Sequence, residues 1–293
     1  MDIRKGWVRQ TFRSPGDWQI SYDPDHRVLS RRILDRLDDG PGFAVITQTP
    51  VANMTTDEAQ RFAPEFLAAV GQPLLQGLGD EATLGWLVRD EGMRRFQATA
   101  SKGAPEYQTG VFTSKTPDAL EVHNDAAMKP YGNDVDLVGL LAHRTAKAGG
   151  ESILISTHTA YAVLRQEYPR ELDRLCRPFA FERGHILPPG EDRVLWEPVF
   201  KLGDGRLQVR CNRQRIEMAP AVTGISLGEE DTAALDALDA VLARPELQLS
   251  LLLAEGDCLV TDEHAVLHGR SAFVDHPEPD RRRCLVRVQM KRR

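Results

Sequence analysis

Apolar positions recur with helical spacing in two stretches near the start of the chain, and a strand-like run lies between them. Residues 28–37 predict a first helix, which a Gly- and Pro-rich turn ends. The continuous apolar run 43–46 predicts a buried strand. A second helix is predicted over 55–70, since Thr55 offers a hydroxyl cap and acidic residues follow it. Residues 72–120 mix short apolar pieces with glycines, and we expect strands and loops there.

The rest of the chain is dominated by short apolar or alternating runs. These runs predict strands over 136–142, 153–155, 179–184, 194–200, 249–253, 258–260 and 283–290, with a hairpin turn at 203–205. Two helical segments interrupt them, one over 157–175 with a break at Pro169 and one over 229–242.

This order of elements is not the regular strand–helix alternation that a parallel sheet needs. It favours an α+β, mainly β fold, in which a double-stranded β-helix, or jelly roll, is flanked by helices. We find no internal repeat, low-complexity segment or linker. We therefore expect one domain over residues 1–293, with the first hundred or so residues buttressing the jelly roll.

Composition narrows the classes of function. The 293 residues are 41% hydrophobic and 27% charged, and the formal charge of −6 argues against a nucleic-acid binder. The four cysteines form no Cys-x-x-Cys pair, which disfavours a zinc knuckle and a dithiol redox motif, and the lack of a disulfide-dense pattern favours a reducing compartment. Neither a signal-peptide core nor an apolar run of about 20 residues is present, so we expect a cytoplasmic protein without a membrane partner.

Candidate metal chemistry begins at His123-Asn124-Asp125. In an extended segment alternate side chains share a face, so the imidazole and the carboxylate can reach one point. The alternative is a surface or hydrogen-bonded histidine. A third ligand could come from His264 or His268, although His264 is alternatively a polar residue near the sheet rim. Iron(II) and zinc both accept two histidines and a carboxylate, so this ligand set leaves the metal open.

Two arginines lie four residues apart in the predicted last strand, where Arg283 and Arg287 share a face. A guanidinium pairs bidentately with a carboxylate, and inward arginines on an apolar strand are costly without anionic partners. The alternatives are an exposed face or pairing with acidic residues of the protein. Arg210 is expected to be an exposed strand arginine, with an anion contact as its alternative.

Four segments carry a family resemblance when they are taken in order: His123-x-Asp125, Gly149-Gly150-Glu151-Ser152, His268-Gly269-Arg270-x-x-Phe273 and Arg283-x-x-x-Arg287. Their order and spacing resembles the taurine dioxygenase-like (TauD/TfdA) family of iron(II)/2-oxoglutarate oxygenases, in the clavaminate synthase-like superfamily. The likeness covers about residues 105–290, while the first hundred residues are only loosely similar.

The resemblance implies that His123, Asp125 and His268 are the catalytic iron ligands. It also implies that Arg283 binds the distal carboxylate of the co-substrate 2-oxoglutarate. In related halogenases a small residue replaces the carboxylate ligand and chloride fills the vacancy. Because Asp125 is retained, the resemblance favours hydroxylation.

Two further residues receive co-substrate roles from the same resemblance. Ser152 stands where relatives often have a threonine that hydrogen-bonds the distal carboxylate of 2-oxoglutarate. Arg287 would contact either the co-substrate or an acidic group of the substrate.

The sequence departs from the family pattern at two places. Glu263 lies in a run, residues 261–264, where asparagines are common, and Gln289 lies where an aromatic residue is frequent. We expect neither departure to contact the iron ligands, and both leave the substrate open.

These patterns together predict a cytoplasmic dioxygenase, an oxidoreductase that uses Fe(II), 2-oxoglutarate and O2. It would hydroxylate a C–H bond of a small anionic or amino-acid-like molecule that bears a carboxylate or sulfonate, with succinate and CO2 as co-products. Desaturation, epoxidation and oxidative rearrangement are alternative outcomes. A zinc hydrolase and a non-catalytic jelly-roll binding module are alternatives of a different class, and a homo-oligomer is left open.

Overall fold

A pair of β-sheets packed face to face is the central feature of the fold. The structure, a computed structural model, describes residues 6–77, 82–92, 113–125, 129–132, 134–183, 187, 190–203 and 205–293. Within these ranges the chain forms six α-helices and seventeen strands.

The elements follow one another along the chain with these bounds. The helices are α1 His26–Asp38, α2 Thr56–Leu67, α3 Thr157–Glu167, α4 Pro169–Leu175, α5 Arg213–Thr223 and α6 Glu229–Leu242. The strands are β1 Gln19–Ser21, β2 Phe43–Thr47, β3 Gln72–Pro73, β4 Trp86–Val88, β5 Leu120–His123, β6 Leu137–Arg144, β7 Ala148–Gly149, β8 Ser152–Ser156, β9 Pro178–Glu182, β10 Val194–Pro198, β11 Phe200–Gly203, β12 Arg206–Val209, β13 Leu249–Leu251, β14 Cys258–Asp262, β15 Val266–Arg270, β16 Phe273–Val274 and β17 Cys284–Lys291.

The larger sheet, here called the major sheet, has the strand order β1-β2-β14-β6-β17-β3, and β4 also pairs with β17. The smaller, or minor, sheet has the order β13-β8-β15-β5. Three two-stranded ribbons, β9–β10, β11–β12 and β7–β16, complete the described strands. All pairings except β1–β2 are antiparallel. Many neighbouring strands, such as β2 and β14, are far apart in sequence.

Helices cover the outer faces of both sheets, and the described residues form three apolar cores. One core lies between the major sheet and α1 and α2, and a second lies between the two sheets. The third packs the outer face of the minor sheet, through Ile155 and Leu267, against α3, α4 and α6. Strands with both faces covered are apolar along their length, which explains the continuous runs of β6 and β14.

The elements β1, α1, β2 and α2 attach to the major sheet. Strand β2 pairs with β14, and β1 lies parallel to β2. The side chain of Asp25 caps α1 by accepting the backbone N–H of Arg27 at 3.0 Å. The predicted hydroxyl cap of α2 is confirmed at Thr55, and the Glu58 side chain caps the helix reciprocally by accepting the Thr55 backbone N–H. This part of the chain therefore buttresses the strands that follow.

Most of the predicted elements are confirmed, but one helix was missed. Helix α6 has the predicted bounds, and Pro169 separates α3 from α4. Helix α5 was not predicted, although the Asn212 side chain caps its start and Gly224 ends it with a φ of 70°. The predicted loops and strands over 93–112 lie outside the described residues. None of the described helices is long and apolar enough to cross a bilayer.

Candidate metal centre

The pairing of β5 with β15 places His123 directly opposite His268. Directly opposed residues in an antiparallel pair project from the same face, and the centres of the two imidazole rings lie 4.6 Å apart. Leu267, next to His268, packs on the outer helices. Strand alternation therefore turns both histidines toward the space between the sheets.

Asp125, in the turn after β5, completes the group. Its Oδ1 lies 3.6 Å from His123 Nε2 and 4.0 Å from His268 Nε2. Donor atoms that each lie about 2.0–2.2 Å from one ion are separated by roughly 3–4 Å, so these spacings suit a shared metal. The structure thus brings together the three residues that the resemblance assigned as ligands.

The second oxygen of Asp125 has protein partners. Oδ2 accepts a hydrogen bond from Gln289 Nε2 at 2.9 Å and lies 3.1 Å from Arg287 Nη1. Burial raises the pKa of Asp125, but Arg287 and the two histidines outweigh it, so that the pKa lies below its usual range. The carboxylate is therefore charged at neutral pH, with Oδ1 left for an ion.

Both histidines have an acceptor near Nδ1. His123 Nδ1 lies 2.8 Å from the carbonyl oxygen of Glu121, and His268 Nδ1 lies 3.5 Å from Glu263 Oε1. The latter distance exceeds a normal hydrogen bond but brings a carboxylate against the ring. Acceptors on the Nδ1 side favour protonation there, which leaves Nε2 of each ring as the free donor to a metal.

The expectation that Glu263 and Gln289 do not contact the iron ligands is wrong. Glu263 Oε2 accepts the backbone N–H of Asp125 at 2.6 Å, and Gln289 bonds the Asp125 side chain. The two departures from the family pattern therefore meet at one residue. Because alternate residues of a strand share a face, the two-residue spacing alone could have placed Gln289 on the face of Arg287. The contact of Glu263 with Asp125, in contrast, depends on the tertiary fold.

Asn124, between two of the predicted ligands, was given no role from the sequence and fixes the loop. Its side chain is fully buried and donates to the carbonyl oxygens of Val209 at 3.0 Å and Glu263 at 3.2 Å. Its Oδ1 accepts the backbone N–H of Cys211 at 2.7 Å. The sequence signal was available, since strand alternation points Asn124 away from a site that His123 would face.

Arg283 is buried beside Phe273. It is 6% exposed, its guanidinium lies 5.1 Å from the ring centre of Phe273, and its Nη1 has no hydrogen-bond partner among the described residues. Burial and the neighbouring Arg270 lower the pKa of Arg283 to about 10, so the group is a cation at neutral pH. A buried, incompletely bonded guanidinium suits an anionic ligand.

The glycine-rich turn before β8 makes room for this arginine. Gly150 has a φ of 81°, and a Cβ there would lie 3.3 Å from Arg283 Nε. Ser152, two residues later, is buried in β8 and pairs with Arg270 of β15. The turn is thus part of the wall around the Arg283 guanidinium.

Arg287 has different neighbours from Arg283. Besides Asp125, it contacts Gln76, whose Oε1 accepts the Arg287 Nε–H at 2.9 Å and whose Nε2 donates to the Arg287 carbonyl at 3.0 Å. A register shift in β17 between Cys284 and Leu285 separates the two arginines. In the structure Arg287 is therefore a partner of a predicted metal ligand.

His264 belongs to a separate group, here called the Asp134 cluster, of Asp134, Asp136, His264 and Lys291. Its Nε2 lies 3.4 Å from Asp134 Oδ2. The Lys291 ammonium lies 3.1 Å from Asp136 and 3.7 Å from Asp134, so a protein cation already neutralises these carboxylates. The expectation that Arg210 is exposed is wrong, because it is fully buried against Tyr131 and 4.0 Å from Asp134.

The His123–Asp125–His268 arrangement has the donors of a facial metal site. Two neutral imidazoles and one carboxylate on one side of an ion leave the opposite positions for other ligands. Iron(II) and zinc both suit this set. The buried guanidinium of Arg283 adds a binding position for a carboxylate. A metal site by itself does not require such a position.

Comparisons with known proteins identify relatives of this chain. A family model described as Taurine catabolism dioxygenase TauD, TfdA family matches residues 12–289. The chain is 28% identical over 264 residues to FR-33289 synthase of Streptomyces rubellomurinus (strain ATCC 31215), across 89% of this chain and 72% of that protein. It is 33% identical over 255 residues to a uridine-5'-phosphate dioxygenase of Streptomyces sp, across 84% of each protein.

Solved structures share the fold. Asparagine oxygenase in complex with Fe(II), 2S,3S-3-hydroxyasparagine and succinate has a TM-score of 0.67 at 16% identity, covering 93% of both chains. The non-heme iron oxygenase OrfP in complex with Fe and alpha-ketoglutaric acid has a TM-score of 0.59 at 15% identity, covering 93% of this chain and 94% of that one. The predicted jelly-roll core with flanking helices is confirmed.

Proposed function

The chain belongs to the TauD/TfdA family of Fe(II)/2-oxoglutarate-dependent dioxygenases, and on this premise we propose that His123, Asp125 and His268 bind its iron. The observation that carries the proposal is the convergence of the three donor atoms, with protein acceptors near Nδ1 of both rings. The Asp134 cluster is the less suitable metal site because the Lys291 ammonium lies against its carboxylates.

The enzyme is an oxidoreductase that uses Fe(II), 2-oxoglutarate and O2. When bound, these groups supply the oxidation of a C–H bond, with succinate and CO2 as co-products. The protein would supply an ordered set of donors: Arg287 and Gln289 hold Asp125 Oδ2, which leaves Oδ1 for the ion. We propose hydroxylation as the outcome, because Asp125 occupies the position that a halide would need.

We further propose that Arg283 binds the distal carboxylate of 2-oxoglutarate, with Ser152 as a second hydrogen-bond donor. Three features support this role: the deep burial of the guanidinium, the incompletely bonded Nη1 and the glycine turn that leaves space beside it. We propose that the main role of Arg287 is to orient Asp125. Its side chain is 21% exposed, and only this accessible part would contact co-substrate or substrate.

The substrate is a small molecule, and we propose that it is anionic. Carboxylate and sulfonate are the groups that the sequence favours, and phosphate joins them because one relative is named for uridine 5'-phosphate. Amino-acid-like substrates are supported by the fold shared with asparagine oxygenase. Desaturation, epoxidation or rearrangement of such a molecule would use the same site.

Two wider expectations are also proposals. We propose one domain over 1–293, which is supported by the pairing of β2 with β14 across more than 200 residues of sequence. We propose a reducing, cytoplasmic compartment, which is supported by the four cysteines being free thiols.

The test is oxygen-dependent succinate formation by the purified chain with Fe(II) and 2-oxoglutarate. Amino acids, sulfonates and nucleoside phosphates form the substrate panel. We expect one class to raise turnover above the uncoupled background, and His123→Ala and Asp125→Ala to abolish it. His264→Ala is the matched control, because this histidine lies outside the proposed ligand set. Hydrolysis with zinc, independent of 2-oxoglutarate, would instead support the hydrolase alternative.

A further inference from the structure

We propose that Glu263 is a positioning residue, which ties the two separate halves of the metal site to each other. Asp125 comes from the turn after β5, whereas His268 comes from β15, and one buried carboxylate lies against both. This inference rests on the proposed function, because it concerns residues that we assign as iron ligands.

Three groups with N–H or O–H protons converge on Glu263. The backbone N–H of Asp125 donates to Oε2 at 2.6 Å, and the hydroxyl of Thr261 donates to Oε1 at 2.9 Å. Nδ1 of His268 lies 3.5 Å from the same Oε1. Glu263 is 0% exposed, so water does not compete for these contacts.

The convergence requires a carboxylate rather than an amide. An ionised carboxylate only accepts hydrogen bonds, and its two oxygens can serve several donors. A glutamine of the same size would keep one accepting oxygen and turn an NH2 group toward either Asp125 N–H or the Thr261–His268 side. Two donors would then face each other, and one contact would be lost.

The carboxylate of Glu263 also acts on the ring of His268. A buried carboxylate is costly unless it is paired, and no lysine or arginine among the described residues forms an ion pair with it. The ionisable side chain that lies against it is that of His268, whose Nδ1 is 3.5 Å from Oε1. A metal held by Nε2 of that ring would therefore place positive charge in line with Glu263, and the carboxylate would make the ring a stronger donor to the metal.

The backbone contact fixes the second half of the site. Asp125 lies in a turn rather than in a strand, so β-sheet hydrogen bonds do not hold its backbone in place. The hydrogen bond from its N–H to Glu263 fixes the backbone of Asp125, while Gln289 and Arg287 fix its carboxylate. Glu263 thereby couples the position of Asp125 to that of His268.

The experiment measures metal binding and coordination rather than turnover alone. We would titrate Fe(II) anaerobically into the wild type and Glu263→Gln, and record the visible spectrum of the Co(II)-substituted forms. We expect Glu263→Gln to bind Fe(II) about 10- to 100-fold more weakly, the range typical of losing a partner behind a metal ligand, with a changed Co(II) spectrum. Glu255→Gln, an exposed glutamate before β14, is the matched control and should behave like the wild type.

A second variant keeps the test decisive if Glu263→Gln does not fold. Thr261→Val keeps the carboxylate but removes the hydroxyl that orients Oε1, and we expect a smaller loss of affinity in the same direction. Wild-type affinity and an unchanged Co(II) spectrum in every folded variant would overturn the role of Glu263. If Asp125→Ala still abolished Fe(II) binding, the proposed iron site would stand. Failure of the wild type itself to bind Fe(II) would instead refute the proposed function.

Discussion

Replacing Arg283 by methionine tests whether the buried guanidinium holds 2-oxoglutarate. Methionine has a similar length and an apolar character, so Arg283→Met removes the charge without a large change in packing. Nη1 of Arg283 has no hydrogen-bond partner among the described residues, and the nearby Arg270 adds like charge. The variant should therefore melt no lower than the wild type in the absence of 2-oxoglutarate, since buried charges are often replaced by apolar groups without loss.

The loss of 2-oxoglutarate affinity should be large. Truncating one partner of a buried charge pair costs about 2–5 kcal/mol, and each ~1.4 kcal/mol is a factor of ten, so Kd should rise at least about 30-fold. At a 2-oxoglutarate concentration of about 100 times the wild-type Kd, ligand stabilisation of the wild type is ~2.7 kcal/mol. A 30-fold weaker Kd reduces that stabilisation to ~0.9 kcal/mol by the same relation.

The assay is anaerobic calorimetry of 2-oxoglutarate binding to the Fe(II) protein, with thermal denaturation as the second measurement. Arg282→Met is the matched control, because Arg282 is exposed one residue away. Wild-type 2-oxoglutarate affinity in Arg283→Met would refute the assignment. A drop in melting temperature without the co-substrate would refute the argument that the incompletely bonded guanidinium contributes little to stability.

Three further predictions follow from other parts of the structure. Gly149→Ala should lower the free energy of unfolding in urea by at least ~2 kcal/mol, because a Cβ at φ 75° is strained and would lie 2.2 Å from the carbonyl oxygen of Ala272; an unchanged midpoint would contradict this. One thiol per native chain, Cys176, should react with a thiol reagent, at a rate that rises with pH because partial burial raises its pKa, and all four should react in denaturant, since the other three are buried; more than one reactive thiol in the native protein would contradict the buried assignments. Gln289→Leu should weaken Fe(II) binding about tenfold in anaerobic calorimetry, because the Asp125 carboxylate loses a hydrogen bond worth roughly 1.5–3 kcal/mol; unchanged affinity would remove Gln289 from the site.

The features that sequence could predict are those set by local periodicity. Helix α6 and strand β2 follow directly from spacing and runs of apolar residues. The two-residue spacing also predicted that His123 and Asp125 reach one point, although β5 ends at His123 and Asp125 lies in the turn that follows. These predictions hold because each depends on residues that are close in sequence.

Contacts between distant segments could not be predicted in this way. The pairing of His123 with His268 joins strands 145 residues apart, and the choice between His264 and His268 needed the family resemblance. The contact of Glu263 with Asp125 depends on how β14 leads into β15, which no local pattern encodes. The expectation that Glu263 does not contact the ligands was wrong for this reason.

Burial of charged side chains was the other source of error. Arg210 follows an alternating strand and carries a charge, so exposure was the natural expectation, yet Tyr131 and Asp134 surround it. Helix α5 was not predicted, and in the structure the buried Arg215–Glu182 ion pair holds it against β9. In both cases tertiary partners outweigh the local preference.

Anomalous diffraction at the iron edge, from crystals grown anaerobically with Fe(II) and 2-oxoglutarate, tests the central claim most directly. We predict one strong peak, bonded to His123 Nε2, Asp125 Oδ1 and His268 Nε2. A peak at the Asp134 cluster, or no peak at the three predicted ligands, would contradict the assignment of the metal site.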